Sequence, residues 1–259
     1  RSKIMETLSV LTDEIGPRLT GSPSLKKAGD WSKAQLSEWG LQNAQVVSIA
    51  PFGRSWVLEK AAMRMVAPSN LELVAIPKAW TPGTDGVKRG KVVYVKLEND
   101  EDLAKWKGKL KGTIILRDAM TPTKLHTTPD AKRYTEQELH DLEHMELGAA
   151  PARAPMDMAE IAKRMAFAKK INPYLTEEGV IATVNVSRGD DGTIFVAGGG
   201  SYKQGEPTGP SALVMSTEQY NRVFRLIGKK KDVEVEVEVA VNFCDEDPAN
   251  SINVFAEIP

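Results

Sequence analysis

The sequence predicts a mixed α+β fold, and three observations carry that prediction. Ile4, Leu8, Leu11 and Ile15 recur at helical spacing in the opening stretch. Residues 233–243 alternate Val233, Val235, Val237, Val239 and Val241 with Glu234, Glu236 and Glu238, the period-two signature of a strand with one face in water. Between these ends lie short apolar runs bounded by turn formers, which read as strands rather than helices.

Taken in order, a first helix is expected over residues 3–15, ended by Gly16-Pro17 because proline bars helical geometry from the residue before it. Ser22 and Pro23 are a helix cap and a first helical residue. The helix they open places Leu25, Ala28, Trp31, Leu36 and Trp39 within about one face, and Gly40 stops it. Strands are expected over 46–50, 56–66, 71–76 and 92–97. A brief helix over 102–106 and the basic turn Lys107–Gly112 lead into a buried strand over 113–117. From Thr121 to about Asp157 prolines, alanines and an acidic helix over 135–147 replace the strands, which reads as a surface excursion. The pattern resumes with a helix over 158–171 and strands over 180–186, 194–197 and 212–215. A helix over 217–227 follows, capped by Thr217. Lys229-Lys230-Lys231 then keeps a turn solvated and complements the glutamates that follow. The last run, Ile252–Pro259, is an apolar strand. It and the first helix each need a covering surface, so both ends are expected to be edges of a larger body whose reactive groups lie beyond Pro259.

A net charge of −1 argues against nucleic acid or an anionic membrane as partner. No run approaches the roughly 18 apolar residues of a spanning helix. A single cysteine, Cys244, excludes an internal disulfide. The acidic run Asp245-Glu246-Asp247 beside it works against a thiolate nucleophile.

Two stretches offer chemistry. His140-Asp141-Leu142-Glu143-His144 matches the H-x-x-E-H pattern, in which two histidines a helical turn apart hold zinc and the glutamate acts as base; Glu218 is the third ligand to consider. The same histidines also fit a solvated helix face, opposite the anchors Leu142 and Met145. Trp80-Thr81-Pro82-Gly83-Thr84 sets a large aromatic on a rigid turn, either as a contact surface for substrate or partner (Trp80, Thr81) or as the cap of a core edge. Gly198-Gly199-Gly200 lacks the lysine of a phosphate loop and reads as a flexible turn. No G-x-S-x-G elbow is present.

Several segments, in order along the chain, resemble the N-terminal half of a co-catalytic zinc aminopeptidase of metallopeptidase family 28 carrying an inserted protease-associated (PA) domain. They are Ile15-Gly16-Pro17-Arg18-Leu19-Thr20-Gly21-Ser22-Pro23 with Thr12-Asp13-Glu14 before it, Ala75–Thr84, Lys107–Leu116, Glu177–Ala182, Glu218–Arg222 and Asn253–Pro259. The resemblance implies residues 1–66 as helices and strands of an α/β peptidase body. It implies a β-rich PA domain over 67–230, with its own insertion near 121–157, and return strands over 231–259 leading into a catalytic domain that this chain lacks. It further implies two zinc ions and a glutamate base in the parent enzyme. None of those residues matches a position here, and His126, His140 and His144 fall in the PA insertion, so neither catalytic nor metal residues are assigned. The expected role is accessory: shaping access of peptide or protein substrate to the chain's own downstream catalytic domain, in a secreted or periplasmic enzyme. A free-standing PA-type binding module and an inverted-zincin-like hydrolase using His140, Glu143 and His144 are the alternatives.

Overall fold

A computed structural model describes residues 2–129, 131–145, 157–244 and 251–259. Two sheets organise it. The larger has eight strands in the order β3-β2-β9-β5-β6-β7-β8-β4. These strands are β2 (Ser55–Ala67), β3 (Leu71–Glu72), β4 (Ala75–Pro77), β5 (Lys88–Tyr94), β6 (Thr113–Leu116), β7 (Ala182–Val186), β8 (Ser211–Met215) and β9 (Glu234–Cys244). The four central strands β5, β6, β7 and β8 run parallel, and the flanking pairs are antiparallel. The smaller sheet pairs β1 (Gln42–Ala50) with β10 (Ser251–Glu257).

Strand β6 shows why the large sheet is covered on both sides. All of Ile114, Ile115 and Leu116 are fully buried, as expected of a parallel strand with both faces dry. Ile114 and Leu116 join Met65, Val184, Leu213, Tyr220, Val223 and Val235 in one core, beneath helix α6 (Thr217–Gly228). Ile115 points the other way, into a second core with Val95, Leu110 and Leu175 under α3 (Asp100–Trp106) and α5 (Met158–Glu177). In β9 the alternation is realised: Val235, Val237 and Val239 are buried, while Glu234, Glu236 and Glu238 face outward. Their partners are Arg89, Arg64 and Lys60 on the neighbouring strands, not the Lys229–Lys231 run. Cross-strand register sets Arg64 opposite Glu236 and puts Arg89 and Lys60 on the diagonals to Glu234 and Glu238, whereas the lysine run lies beyond the end of the ladder.

The sheet curls until its ends approach. Adjacent residues Leu73 and Val74 bond to its opposite extremities: Leu73 N–H donates to Met63 O, and Val74 O accepts from Ser216 N–H.

The N-terminal region forms a separate layer. Helix α1 (Ile4–Ser9) runs on into a π-helical segment, Val10–Ile15. Its apolar stripe is not buried: Ile4 is 73% and Leu8 47% exposed. Helix α2 (Pro23–Glu38), capped by Ser22 through its Oγ and the Leu25 N–H, packs on the β1–β10 sheet. Gly29 permits this approach, since a Cβ there would lie 2.7 Å from Ile252 Cδ1. On the other face Val47 and Phe255 are exposed.

Several expectations shift. The run over 71–76 splits into β3 and β4 because Leu73 and Val74 turn between the two ends of the sheet. Residues 194–197 form no strand; the nearby Gly198 makes one isolated bridge to Ala79. Ser216, not Thr217, precedes α6, because the Thr217 hydroxyl donates to the Ser187 and Gly189 carbonyls instead of capping. Helix α5 continues past residue 171 through Pro173 to Glu177. Helix α4 spans only Glu136–Glu143, opened by a capping box between Thr135 and Glu138. Strands β2 and β9 belong to the same sheet as the expected PA segment, although they lie outside 67–230. Cys244 is the last residue of β9, and its acidic neighbours Asp245–Asp247 lie outside the described residues.

Candidate functional site

Trp80 is held by an unusual backbone. It sits at φ 60° in the left-handed region, which a bulky residue occupies only when its surroundings enforce it. The enforcement comes from the three glycines at 198–200. Gly198 lies flat against the indole; a Cβ there would be 3.4 Å from the ring. At Gly200 a Cβ would meet Trp80 O at 1.6 Å, so no other residue fits without moving one strand of chain. The Gly199 and Gly200 N–H groups both donate to Ala79 O, at 2.9 and 3.2 Å. The stretch read as a flexible turn is thus a close-packed clamp on residues 78–81.

The indole completes an aromatic cluster. Trp80 Nε1–H donates to Arg54 O at 3.0 Å, and its ring lies 5.8 Å from Phe52 and 5.9 Å from Tyr202. Phe52 and Tyr202 stack at 4.5 Å. Thr81 is fully buried; its hydroxyl donates to Lys78 O, and its carbonyl accepts from Trp56 Nε1–H at 2.8 Å. Of the two residues singled out on this turn, only Trp80 retains exposed surface.

Beside Trp80 lies an apolar cavity of about 410 Å³. One wall is the loop before α2 and that helix's first turn, through Pro17, Leu19, Ser22 and Ser24; the floor is Trp56, Val57 and Leu58 of β2. Ile76, Pro77, Ala79 and Trp80 form the opposite wall, and residues 196–198 close the side. The cavity therefore sits where the N-terminal layer meets the large sheet, a common setting for ligand pockets.

A polar cluster stands at the carboxyl ends of β6 and β7, with Lys78 behind the Trp80 turn. Lys78 Nζ donates to Asn185 Oδ1 (2.7 Å), and Asn185 Nδ2 donates to Asp118 Oδ2 (2.8 Å), which also accepts from Val186 N–H. Burial pushes the Lys78 ammonium below its ordinary range, with Asp118 opposing and Arg117 reinforcing the fall. Burial likewise lowers the Arg117 guanidinium, whose Nε lacks a hydrogen-bond partner. Tyr220 closes the cluster: its hydroxyl donates to Asp118 O at 2.7 Å and accepts from Asp118 N–H at 2.9 Å. Burial raises the Tyr220 phenol well above its usual range. Lys78, Asn185 and Asp118 serve one another.

The H-x-x-E-H stretch lies on exposed α4. His140 and His144 stack with ring centroids 4.1 Å apart, and His144 Nδ1 meets His140 O at 2.8 Å. Glu218 is elsewhere, accepting from Gly192 N–H, and His126 pairs with Asp190 at 3.3 Å. Among the described residues no group of three or more His, Cys, Asp and Glu side chains is placed to hold a metal ion. The cavity was not legible in the sequence, since Leu19, Trp56, Trp80 and Val196 share no local pattern; the Trp80 turn was its one visible part.

No family model matches the sequence, and no curated protein matches it. In fold the chain is similar to a peptidase M28 precursor from Shewanella amazonensis SB2B, with a TM-score of 0.58 at 20% identity over 98% of this chain and 50% of that one. An aminopeptidase from Aneurinibacillus sp. strain AM-1 gives 0.47 at 15% identity, over 93% of this chain and 44% of that one. BSAP, a zinc aminopeptidase from Bacillus subtilis, gives 0.47 at 11%, over 96% and 44%. The chain spans about half the length of the solved structures it matches. The first likeness establishes the fold: a mixed α+β arrangement shared over nearly the whole chain.

Proposed function

We propose that this chain is the accessory region of a zinc-dependent aminopeptidase, a PA-type module with adjoining pieces of the peptidase body, which shapes access of peptide substrate and is not itself catalytic. The observation that carries the reading is the small sheet. A two-stranded sheet is marginal alone, and among the described residues β1–β10 has α2 on one face, with Val47 and Phe255 exposed on the other. Such a sheet suits completion by further strands and a covering helix of a catalytic domain. The fold shared with half of a longer M28 peptidase precursor agrees with this.

The parent's two zinc ions belong, on this reading, to residues outside this chain. The described residues do not fit a zinc pair, because no three candidate ligands converge. What this chain contributes is position and shape: the large sheet holds Trp80 and the cavity rigidly beside the N-terminal layer, where a module can restrict which peptides enter. Among the described residues no helix is long and apolar enough to cross a membrane. A secreted or periplasmic setting is part of the proposal.

The test compares this chain with the longest product of its reading frame, assaying hydrolysis of leucine p-nitroanilide and zinc content. We expect activity and about two zinc ions per molecule only in a longer product. An active, zinc-loaded preparation of this chain by itself ends the proposal. The ready-formed cavity favours one second reading, a PA-type peptide-binding module that needs no enzyme attached.

A further inference from the structure

We propose that the cavity beside Trp80 binds the apolar side chain of a peptide lying in extended form along the edges of β2 and β4 that no described strand pairs. This goes beyond the peptidase reading and does not depend on it, because a free-standing binding module would use the same site.

The chemistry of the walls selects the occupant. No charged side chain lines the cavity. Both indole N–H groups at its walls are already spent, Trp56 on Thr81 O and Trp80 on Arg54 O, and the Ser22 hydroxyl is spent on capping α2. A ligand that brought a charge inside would find, apart from the Ser24 hydroxyl, no side chain to replace its water, which costs several kcal/mol. A branched or aromatic side chain loses only hydration and gains about 25 cal/mol for each Å² covered. The mouth agrees with the interior, since Leu58, Ile76 and Val196 are 37%, 40% and 41% exposed.

The backbone gives the occupant its form. In the large sheet β2 pairs with β9 along its length but with β3 only at Arg64 and Met65. On that side its first half, Ser55–Ala62, has no ladder partner among the described strands. Strand β4 is the terminal strand at the other end, paired to β8 alone. Strand β2 turns alternate N–H and C=O groups toward its free side, so a peptide strand has main-chain partners there; β4 adds less, because Pro77 has no N–H to donate. Because the sheet curls, these two free edges flank the same cavity, with Trp56, Val57 and Leu58 on one side and Ile76 and Pro77 on the other. Side-chain insertion with main-chain pairing is the recognition mode of strand addition.

The experiment uses the five tryptophans, each of which contributes one indole N–H signal to a proton–nitrogen spectrum of the labelled chain, assigned by single Trp→Phe variants. The probes are acetyl-Ala-Leu-Ala-amide, acetyl-Ala-Phe-Ala-amide and acetyl-Ala-Ala-Ala-amide, all blocked so that no terminal charge contributes. We expect the Leu and Phe peptides to shift the Trp56 and Trp80 signals saturably while Trp31, Trp39 and Trp106 stay fixed. The all-alanine peptide should bind at least about tenfold more weakly, the worth of roughly two buried methylenes. Ala197→Leu, which fills the mouth from an exposed position, should weaken the Leu peptide by a similar factor; if that variant loses the native spectrum, Leu58→Gln takes its place with the same expectation. The proposal is overturned by fixed Trp56 and Trp80 signals at millimolar peptide, by equal binding of the alanine peptide, or by full affinity in a correctly folded filled variant.

Discussion

Removing one oxygen, in Tyr220→Phe, should cost far more than a hydroxyl on the surface would. The Tyr220 ring is fully buried, and its hydroxyl serves both backbone groups of Asp118, donating to the carbonyl and accepting from the amide. Phenylalanine keeps the ring packing and leaves both groups without a partner. Each orphaned group costs about 1–3 kcal/mol when buried. Asp118 is half-buried, so water recovers part of this, and the lower half of the range applies to each, giving about 2–4 kcal/mol in total. The assay is urea unfolding: with a slope of about 3 kcal/mol/M, the midpoint should fall by roughly 0.7–1.3 M at unchanged slope. Tyr174→Phe is the internal comparison, because that hydroxyl makes a single bond, to Leu103 O; it should lose about 1 kcal/mol. If Tyr220→Phe moves the midpoint no further than Tyr174→Phe, the double clamp on Asp118 carries no energy and the reasoning is wrong.

Gly200→Ala should displace the Trp80 backbone, lower the melting temperature and alter Trp80 fluorescence, whereas Gly198→Ala, facing only the indole surface, should leave both nearly unchanged; equal effects at the two positions would dissolve the clamp. Gly29→Ala trades a displaced Ile252 methyl, the mobile end of its side chain, against about 1 kcal/mol of helix propensity, so thermal melts should show little net change. Gly29→Val lacks that compensation and should clearly destabilise. Burial disfavours the Lys78 ammonium in the folded state, so the unfolded chain holds this proton more tightly. Between the depressed folded value and the ordinary 10.5, stability contributed by this site therefore rises with pH. Urea unfolding of the parent and of Lys78→Met at successive pH values from 7 to about 10 should give curves that differ in slope across that window; parallel curves would deny Lys78 the role.

The parts of the fold legible in the sequence were those with local causes. The Val/Glu alternation of β9 needs only the two-residue period of a strand, and Ser22-Pro23 needs only the four residues that open α2. What sequence could not supply was pairing over distance. The glutamates of β9 lie next to three lysines in the chain, yet take their partners from Lys60, Arg64 and Arg89, because register decides which charges on neighbouring strands come within reach, directly opposite for Arg64 and diagonally for the other two. Likewise the 71–76 run has strand composition throughout, but the curl of the sheet breaks it at Leu73 and Val74.

The candidate site extends the same point. Trp80 was visible as an aromatic on a turn, but its environment is assembled from Phe52, Arg54, Gly198, Gly200 and Tyr202. The glycines were the misread element. In isolation three in a row signal freedom, because each can adopt many conformations. Here Gly200 is constrained by contact, since a Cβ would stand 1.6 Å from Trp80 O, and absence of a side chain is what lets two chain segments touch. A tryptophan at φ 60°, three glycines packed against it and an uncharged cavity alongside are mutually dependent. Relax the glycines and the indole loses its back wall; move the indole and the cavity loses one side. The strained backbone at Trp80 is therefore what holds that wall open beside two strand edges that no described strand pairs.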